Sequence, residues 1–121
     1  MTKKILIADD EQNIVISVEF LMKREGYAVS VAADGDEALA RIREEKPDLV
    51  LLDVMMPKKN GFEVCQEVRA DAALAGVRIL MLTARGRDTE VAKGLAIGAD
   101  AYMTKPFSTR DLVDKVRELL G

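Results

Sequence analysis

Five polar side chains stand where apolar runs of the sequence stop. Asp9 and Asp10 follow the run ILIA, and Asp53 follows the four aliphatic residues LVLL. Thr83 closes ILMLT, and Lys105 closes YMTK. An uninterrupted aliphatic run is typical of a strand buried on both faces of a parallel sheet. We therefore expect these five side chains to lie at strand ends, where they could meet in one crevice.

The three acids predict a site for a divalent cation. Neighbouring carboxylates raise one another's pKa, and a divalent cation removes that repulsion. Mg²⁺ prefers oxygen ligands and typically takes one or two carboxylates together with phosphate oxygens. The Thr83 hydroxyl and the Lys105 ammonium are donors for the remaining oxygens of a phosphoryl group. Because carboxylates can accept phosphoryl groups, the set combines a metal site, a nucleophile and an electrostatic clamp.

Taken one at a time, these residues have plainer interpretations. Asp9 and Asp10 could simply favour the start of a helix, since acids stabilise that end of its dipole. Thr83 and Lys105 could be ordinary strand-end residues. Their joint placement at the ends of neighbouring strands is what favours the functional interpretation.

Five strand-like segments alternate with helix-like ones and must position these residues. The strand segments read KKILIA, AVSVA, DLVLL, VRILML and AYM. Between them, apolar residues recur at helical spacing, as at Ile14, Val18 and Leu21 in the first helical segment. Strict alternation of strands and helices predicts an α/β fold with a parallel sheet and helices on both faces.

Strand composition also indicates the strand order. The runs ILIA, LVLL and ILML of the first, third and fourth segments are apolar on both faces, as interior strands are, whereas AVSVA is weaker and AYM is short. We therefore predict a five-stranded doubly wound parallel sheet of order 2-1-3-4-5, the flavodoxin-like and CheY-like order. In that order the chain reverses direction between the first and third strands, and ligands bind outside their carboxyl ends.

Composition excludes several classes of function. A chain of 121 residues predicts one domain, and the absence of histidine excludes histidine acid–base catalysis. With 18 basic and 21 acidic residues, the net charge of −3 argues against direct nucleic-acid binding. The single cysteine, Cys65, excludes a disulfide scaffold. Since no apolar run approaches the roughly 18 residues of a membrane span and no signal peptide is visible, we expect a soluble, cytoplasmic protein with no membrane contact.

Four segments together resemble the signature segments of response regulator receiver domains. They are ILIADDE, DLVLLDVMMPKKNGFE, ILMLTA and GADAYMTKPF, in the family's order and spacing along the whole chain. The resemblance implies that residues 1–121 form a single receiver domain of a two-component phosphorelay, with Asp53 as the phosphoacceptor.

The resemblance also implies a Mg²⁺ cofactor and a set of ligands for it. Asp10 would bind the ion directly, and Asp9 would bind it through water. Asp53 and the backbone carbonyl of Met55 would complete the protein ligands.

Further roles implied by the resemblance concern the phosphoryl group and the response to it. The Thr83 hydroxyl and the backbone amide of Ala84 would contact phosphoryl oxygens, and Lys105 would pair with the group. Tyr102 would act as a rotameric switch coupled to Thr83. The family usually has a cis peptide at the position of Lys105–Pro106, which proline permits.

The sequence departs from the family pattern at two places. Lys58 and Lys59 make the loop after Asp53 more basic than usual. Ala101 replaces the second acid of the GADDY segment, which removes a charge from the face formed by the fourth helix, fifth strand and fifth helix. Part of the charge pattern remains at Lys93, Asp100 and Arg117. We therefore expect at most a weak homodimer on phosphorylation.

The predicted function is a phosphoacceptor switch. The phosphoryl donor would be a sensor histidine kinase or a histidine phosphotransfer protein. The face of the fourth helix, fifth strand and fifth helix would then signal to a downstream effector protein or a covalently linked output domain. The chain would be no enzyme in its own right, although it would assist its own phosphorylation and dephosphorylation.

Two alternatives belong to other classes. A haloacid-dehalogenase-like phosphatase also uses an Asp nucleophile and Mg²⁺, but it needs an acid two residues after the nucleophile, where this chain has Met55. A phosphate-independent interaction module is disfavoured, because a degenerate site should have lost at least one of its five residues.

Overall fold

The computed structural model of the chain describes residues 2–84, 92–93 and 95–121. Its strands are β1 (Lys4–Ala8), β2 (Ala28–Ala32), β3 (Leu49–Asp53), β4 (Arg78–Ala84) and β5 (Ala101–Lys105). Its helices are α1 (Gln12–Arg24), α2 (Gly35–Glu45), α3 (Gly61–Ala70), a short 3₁₀ turn (Ala72–Leu74) and the last helix (Thr109–Leu120). The strands form one parallel sheet in the order β2-β1-β3-β4-β5, which confirms the predicted order and both edge strands.

Alternating side chains of the strands build two cores, one on each face of the sheet. Ile7 and Leu51 pack against α1 and the last helix. Leu6 and Val50 pack against α2 and α3, where Cys65 is also fully buried. Because β3 is buried along its whole length, the sheet and its two helical layers hold the end of this strand firmly in place.

Local signals in the sequence define where the helices begin and end. At α3, the Asn60 side chain accepts from the Glu63 N–H, and the Glu63 side chain accepts from the Asn60 N–H, which together form a capping box. The Asp34 side chain caps α2 by accepting from the Glu37 N–H at 2.8 Å. Gly26 adopts a φ of 95° just after α1, a conformation that glycine favours at the end of a helix.

The segment between β4 and β5 contains the predicted fourth helix. Residues 92–93 and 95–96 are helical, whereas residues 85–91 and residue 94 lie outside the described part of the chain. Within the described ranges, the helices are too short or too polar to cross a bilayer.

Candidate phosphoryl-acceptor site

The carboxyl ends of four strands bring the five predicted site residues to one edge of the sheet. Asp9 and Asp10 directly follow β1, and Asp53 is the last residue of β3. Thr83 is the last but one residue of β4, so the sequence analysis placed the end of this strand one residue too early. Lys105 ends β5, where its register partner on β4 is Ala84.

Three carboxylates converge at this edge. Asp9, Asp10 and Asp53 each offer an oxygen atom, and these atoms lie within 4.8 Å of one another. Asp9 and Asp53 are buried, at 1% and 5% exposure, whereas Asp10 is exposed. Two backbone amides orient the buried pair: the Glu11 N–H donates to Asp9 Oδ1 at 2.9 Å, and the Met55 N–H donates to Asp53 Oδ1 at 3.4 Å.

Lys105 lies among the carboxylates and is their nearest cation in the described part of the chain. Its Nζ donates to Asp9 Oδ2 at 2.9 Å and to Glu11 Oε1 at 3.1 Å, and it lies 3.4 Å from Asp53 Oδ1. Two of these contacts are hydrogen bonds and the third is an ion pair. Three carboxylates thus contact one ammonium, and the exposed Asp10 adds a fourth negative charge beside Asp9 and Asp53.

This imbalance alters the protonation of the buried groups. Burial and the neighbouring charge of Asp9 raise the pKa of Asp53 to about 7, although Lys105 and the Met55 N–H oppose the shift. Burial lowers the pKa of Lys105, but its hydrogen bond to Asp9 and the charges of Asp53 and Asp9 outweigh that effect and raise the pKa overall. Lys105 therefore remains charged at neutral pH, while Asp53 is only partly ionised.

Thr83 contributes a buried hydroxyl to the site. The residue is 1% exposed, and its Oγ1 has no hydrogen-bond partner within the described residues. A buried hydroxyl without a partner costs about 1–3 kcal/mol. The Thr83 hydroxyl can therefore donate a hydrogen bond to an acceptor oxygen that binds at this edge. Ala84 follows it as the final residue of β4, and its backbone amide is the second donor that the family resemblance implies.

Tyr102, the predicted switch residue, lies on the outer edge strand with 43% of its surface exposed. It lines an open depression of about 580 Å³ together with Leu95, Phe107 and Lys115. With this exposure, the ring of Tyr102 is turned outward in this state of the chain. The nearby Lys105–Pro106 peptide is cis, as the family resemblance implied.

The loop from 54 to 60 packs tightly against the end of β3. The Gly61 N–H donates to the Val54 carbonyl at 2.9 Å and closes the loop. A Cβ on Gly61 would lie 2.5 Å from the Asp53 carbonyl oxygen, so any side chain there would displace the strand end. Met55 projects outward from this loop with 58% of its surface exposed, beside the mouth of the site.

The sequence analysis missed the contact between Glu11 and Lys105. Glu11 directly follows the two acids after β1, which is a signal that could have drawn attention to it. It also missed the internal contacts of the charges assigned to the dimerisation face. The Asp100 side chain bonds to Arg69 at 2.8 Å, Arg117 lies 2.6 Å from Glu25, and Lys93 stacks over the Phe62 ring at 4.7 Å.

The residues at this edge fit a hard divalent cation. All the side-chain ligands offered by Asp9, Asp10 and Asp53 are carboxylate oxygens, the donors that Mg²⁺ prefers. Burial, and after it the charge of Asp9, raises the pKa of Asp53, and a divalent cation beside the carboxylate would favour its ionised form.

Comparison with known proteins agrees with this geometry. The sequence profile of the response regulator receiver domain matches residues 5–117. The chain is 48% identical over 120 residues to the alkaline phosphatase synthesis transcriptional regulatory protein PhoP of Bacillus subtilis, covering 99% of this chain and 49% of that protein. The chain therefore spans about half the length of this curated relative.

Solved structures show the same fold. The chemotaxis response regulator CheY4 of Vibrio cholerae superposes with a TM-score of 0.93 at 34% identity, over 99% of this chain and 100% of that one. A CheY-like response regulator receiver domain protein from Methanospirillum hungatei superposes with a TM-score of 0.91 at 36% identity, over 99% and 94% of the two chains. The chain thus belongs to the response regulator receiver domain family.

Proposed function

We propose that Asp53 is the phosphoacceptor of this receiver domain and that the edge residues around it assist transfer. The observation that carries the proposal is the convergence, at one edge of the sheet, of three carboxylates, one ammonium and a buried hydroxyl that has no partner within the described residues. Phosphoryl transfer needs chiefly positioning and charge neutralisation, and this set supplies both.

In the proposed transfer, an Asp53 carboxylate oxygen attacks the phosphorus of a phosphohistidine on a partner protein. The phosphorus–nitrogen bond breaks, its electron pair returns to the imidazole, and an acyl phosphate remains on Asp53. Asp9, Asp10, Asp53 and the Met55 carbonyl would hold Mg²⁺. The ion would supply charge neutralisation for the carboxylates and the phosphoryl oxygens. Water later attacks the phosphorus, the bond from phosphorus to the Asp53 oxygen breaks, and inorganic phosphate leaves the free carboxylate behind.

Three donors of the chain would bind the new phosphoryl oxygens. The unpartnered Thr83 hydroxyl would donate to one of them, together with the Ala84 N–H. Lys105, already 3.4 Å from Asp53 Oδ1, would move its contact from that oxygen to the phosphoryl group. Movement of Thr83 toward the phosphoryl group would leave room for Tyr102 to turn inward from its exposed position. The depression that Tyr102 lines would then change shape for a partner.

The remaining assignments complete this proposal. Residues 1–121 act as one receiver domain whose donor is a sensor histidine kinase or a histidine phosphotransfer protein. The output is a downstream effector or a linked output domain, with a weak homodimer on phosphorylation. The single reduced thiol of Cys65, which is fully buried, suits a cytoplasmic location.

The test is the intact mass of the protein after incubation with acetyl phosphate and Mg²⁺. We expect one added phosphoryl group on the wild type and on Asp114→Asn, an exposed control acid on the last helix, and none on Asp53→Asn. Chelation of Mg²⁺ should abolish the adduct. A phosphoryl group on another residue would contradict the assignment of Asp53. Repeated turnover of a phosphomonoester would instead favour the phosphatase alternative.

Lys105→Ala separates phosphorylation from the response. We expect this variant to accept the phosphoryl group but to give smaller amide NMR shift changes at Tyr102 and its neighbours than the wild type. Full-sized shift changes in the lysine variant would contradict the role proposed for Lys105.

A further inference from the structure

Lys105 already has carboxylate partners in the unphosphorylated chain. Its Nζ donates to Asp9 Oδ2 at 2.9 Å and to Glu11 Oε1 at 3.1 Å, and it lies 3.4 Å from Asp53 Oδ1. A phosphoryl oxygen beside Asp53 must therefore compete with these carboxylates for the N–H groups of Lys105.

The three carboxylates differ in what happens to them on phosphorylation. Asp9 would be engaged by the metal, and Asp53 would lose its negative charge by forming the acyl phosphate. Glu11 takes part in neither event. It is therefore the one acid that keeps its full charge and its hold on Lys105 when the phosphoryl group arrives.

The side chain of Glu11 is also free of the capping role that its position at the start of α1 would allow, so it can act on Lys105. It is the N-cap residue of α1, but its side chain makes no capping hydrogen bond. Its side chain is 58% exposed, whereas that of Lys105 is 15% exposed. The carboxylate thus reaches the rim of the site from solvent and contacts Lys105.

From these contacts we propose that Glu11 is a positioning residue that competes with the phosphoryl group for Lys105. This proposal rests on the proposed function, in which Lys105 binds the phosphoryl group. Glu11 holds Lys105 at the rim before phosphorylation and weakens its contact with the phosphoryl oxygens afterwards. It thereby lowers the population of the activated state at a given degree of phosphorylation.

Glu11 should have the opposite effect on the affinity of the site for Mg²⁺. Glu11 adds negative charge beside the three acids, which favours the binding of a cation. It also remains an acceptor for Lys105 when Asp9 and Asp53 bind the ion instead. Removal of its charge should therefore weaken Mg²⁺ binding while strengthening the binding of a phosphoryl analogue. Loss of helix stability alone would not produce these opposite signs.

The test measures binding of Mg²⁺ alone, and of beryllofluoride at saturating Mg²⁺, by amide NMR titration. We expect Glu11→Gln to weaken Mg²⁺ binding and to tighten beryllofluoride binding, each by about threefold, the scale of a partly exposed ion pair. Both effects should shrink in 1 M salt. The matched control is Glu19→Gln, which removes the same charge from a surface pair with Lys23 on α1 and should change neither affinity.

A double-mutant cycle with Lys105→Met decides whether Glu11 acts through the lysine. We expect Glu11→Gln to have no effect on beryllofluoride binding once Lys105 is replaced. An equal tightening in the Lys105→Met background, or unchanged or weaker binding in Glu11→Gln alone, would overturn the role of Glu11 while leaving the phosphoacceptor proposal intact. Failure of the wild type to bind beryllofluoride would overturn the proposed function and this inference together.

Discussion

Two clusters of charged side chains at opposite margins of this sheet have contrasting composition. The guanidinium of Arg69 donates to the Gly98 and Val77 carbonyls and to Asp100, each at 2.8 Å. Asp100 also accepts from the Ile79 N–H at 2.7 Å. Asp100 thus has cations for its charge, Arg69 at 2.8 Å and Arg78 at 3.9 Å, and the bonds of Arg69 tie α3 to the segments that flank β4.

The cluster around Asp53 lacks this balance. Asp9, Glu11 and Asp53 contact one ammonium and Asp10 lies beside them, the pKa of Asp53 is raised to about 7, and Thr83 Oγ1 has no partner in the described residues. The Arg69 cluster is complete as it stands, whereas the Asp53 cluster requires a cation and an acceptor oxygen from outside. The contrast teaches that a functional site is marked by unsatisfied charge and hydrogen bonding rather than by charge alone.

The largest expected effect is the pH dependence of stability contributed by Asp53. Its pKa is about 7 in the folded chain and 3.8 in the reference state, so the folded state binds the proton more tightly. Wild-type stability should therefore fall as pH rises from about 4 to about 8, by up to about 4 kcal/mol in EDTA. Urea denaturation across this range measures the fall, which Asp53→Asn should lack. Parallel profiles for the two proteins would refute the claim that Asp53 is destabilised by its surroundings.

The next effect concerns the balanced cluster. Arg69→Met removes the cation that lies 2.8 Å from the partly buried Asp100 and leaves the Gly98 and Val77 carbonyls without the donors of Arg69, so it should cost about 3 kcal/mol in the free energy of unfolding. Chemical denaturation gives this value directly.

A matched control for that measurement is Arg43→Met. Arg43 approaches Glu67 only at 3.8 Å, and both side chains are more exposed, so its loss should change stability by less than about 0.5 kcal/mol. Equal losses in the two variants would show that the Arg69 cluster contributes no more than a surface pair.

The smallest effect is the stabilisation by added Mg²⁺, which should depend on the Asp53 cluster and not on the Arg69 cluster. Mg²⁺ at ten times its dissociation constant should stabilise the wild type by about 1.4 kcal/mol through mass action. The gain should be the same in Arg69→Met, because that cluster is balanced, and smaller in Asp10→Asn. Thermal unfolding with and without Mg²⁺ measures both. A gain that is lost in Arg69→Met would mean that the two clusters are coupled.

Sequence reasoning succeeded where one rule of the fold determines position. Aliphatic runs defined the interior strands, and parallel strands must bring their carboxyl ends to the same edge. Asp53, Thr83 and Lys105 could therefore be placed together although they are far apart in sequence.

Sequence reasoning failed where a contact depends on the reach of a single side chain. Asp100 was assigned to an outer dimerisation face, but its carboxylate turns toward Arg69, which lies 31 residues away in sequence. The bond from Lys105 to Glu11 likewise spans 94 residues. Such pairings have no periodic signal, because rotamers and packing in the folded chain select them.

The close approach of Gly61 to the end of β3 has a consequence for reading mutational data. A substitution at Gly61 would press on the Asp53 carbonyl at 2.5 Å, so it should impair the acceptor without touching any reacting atom. In a saturation mutagenesis screen for signalling, this residue would be as intolerant as the charged residues around it. A map of tolerated substitutions alone would assign Gly61 to the site. The structure shows instead that Gly61 is needed because it has no side chain.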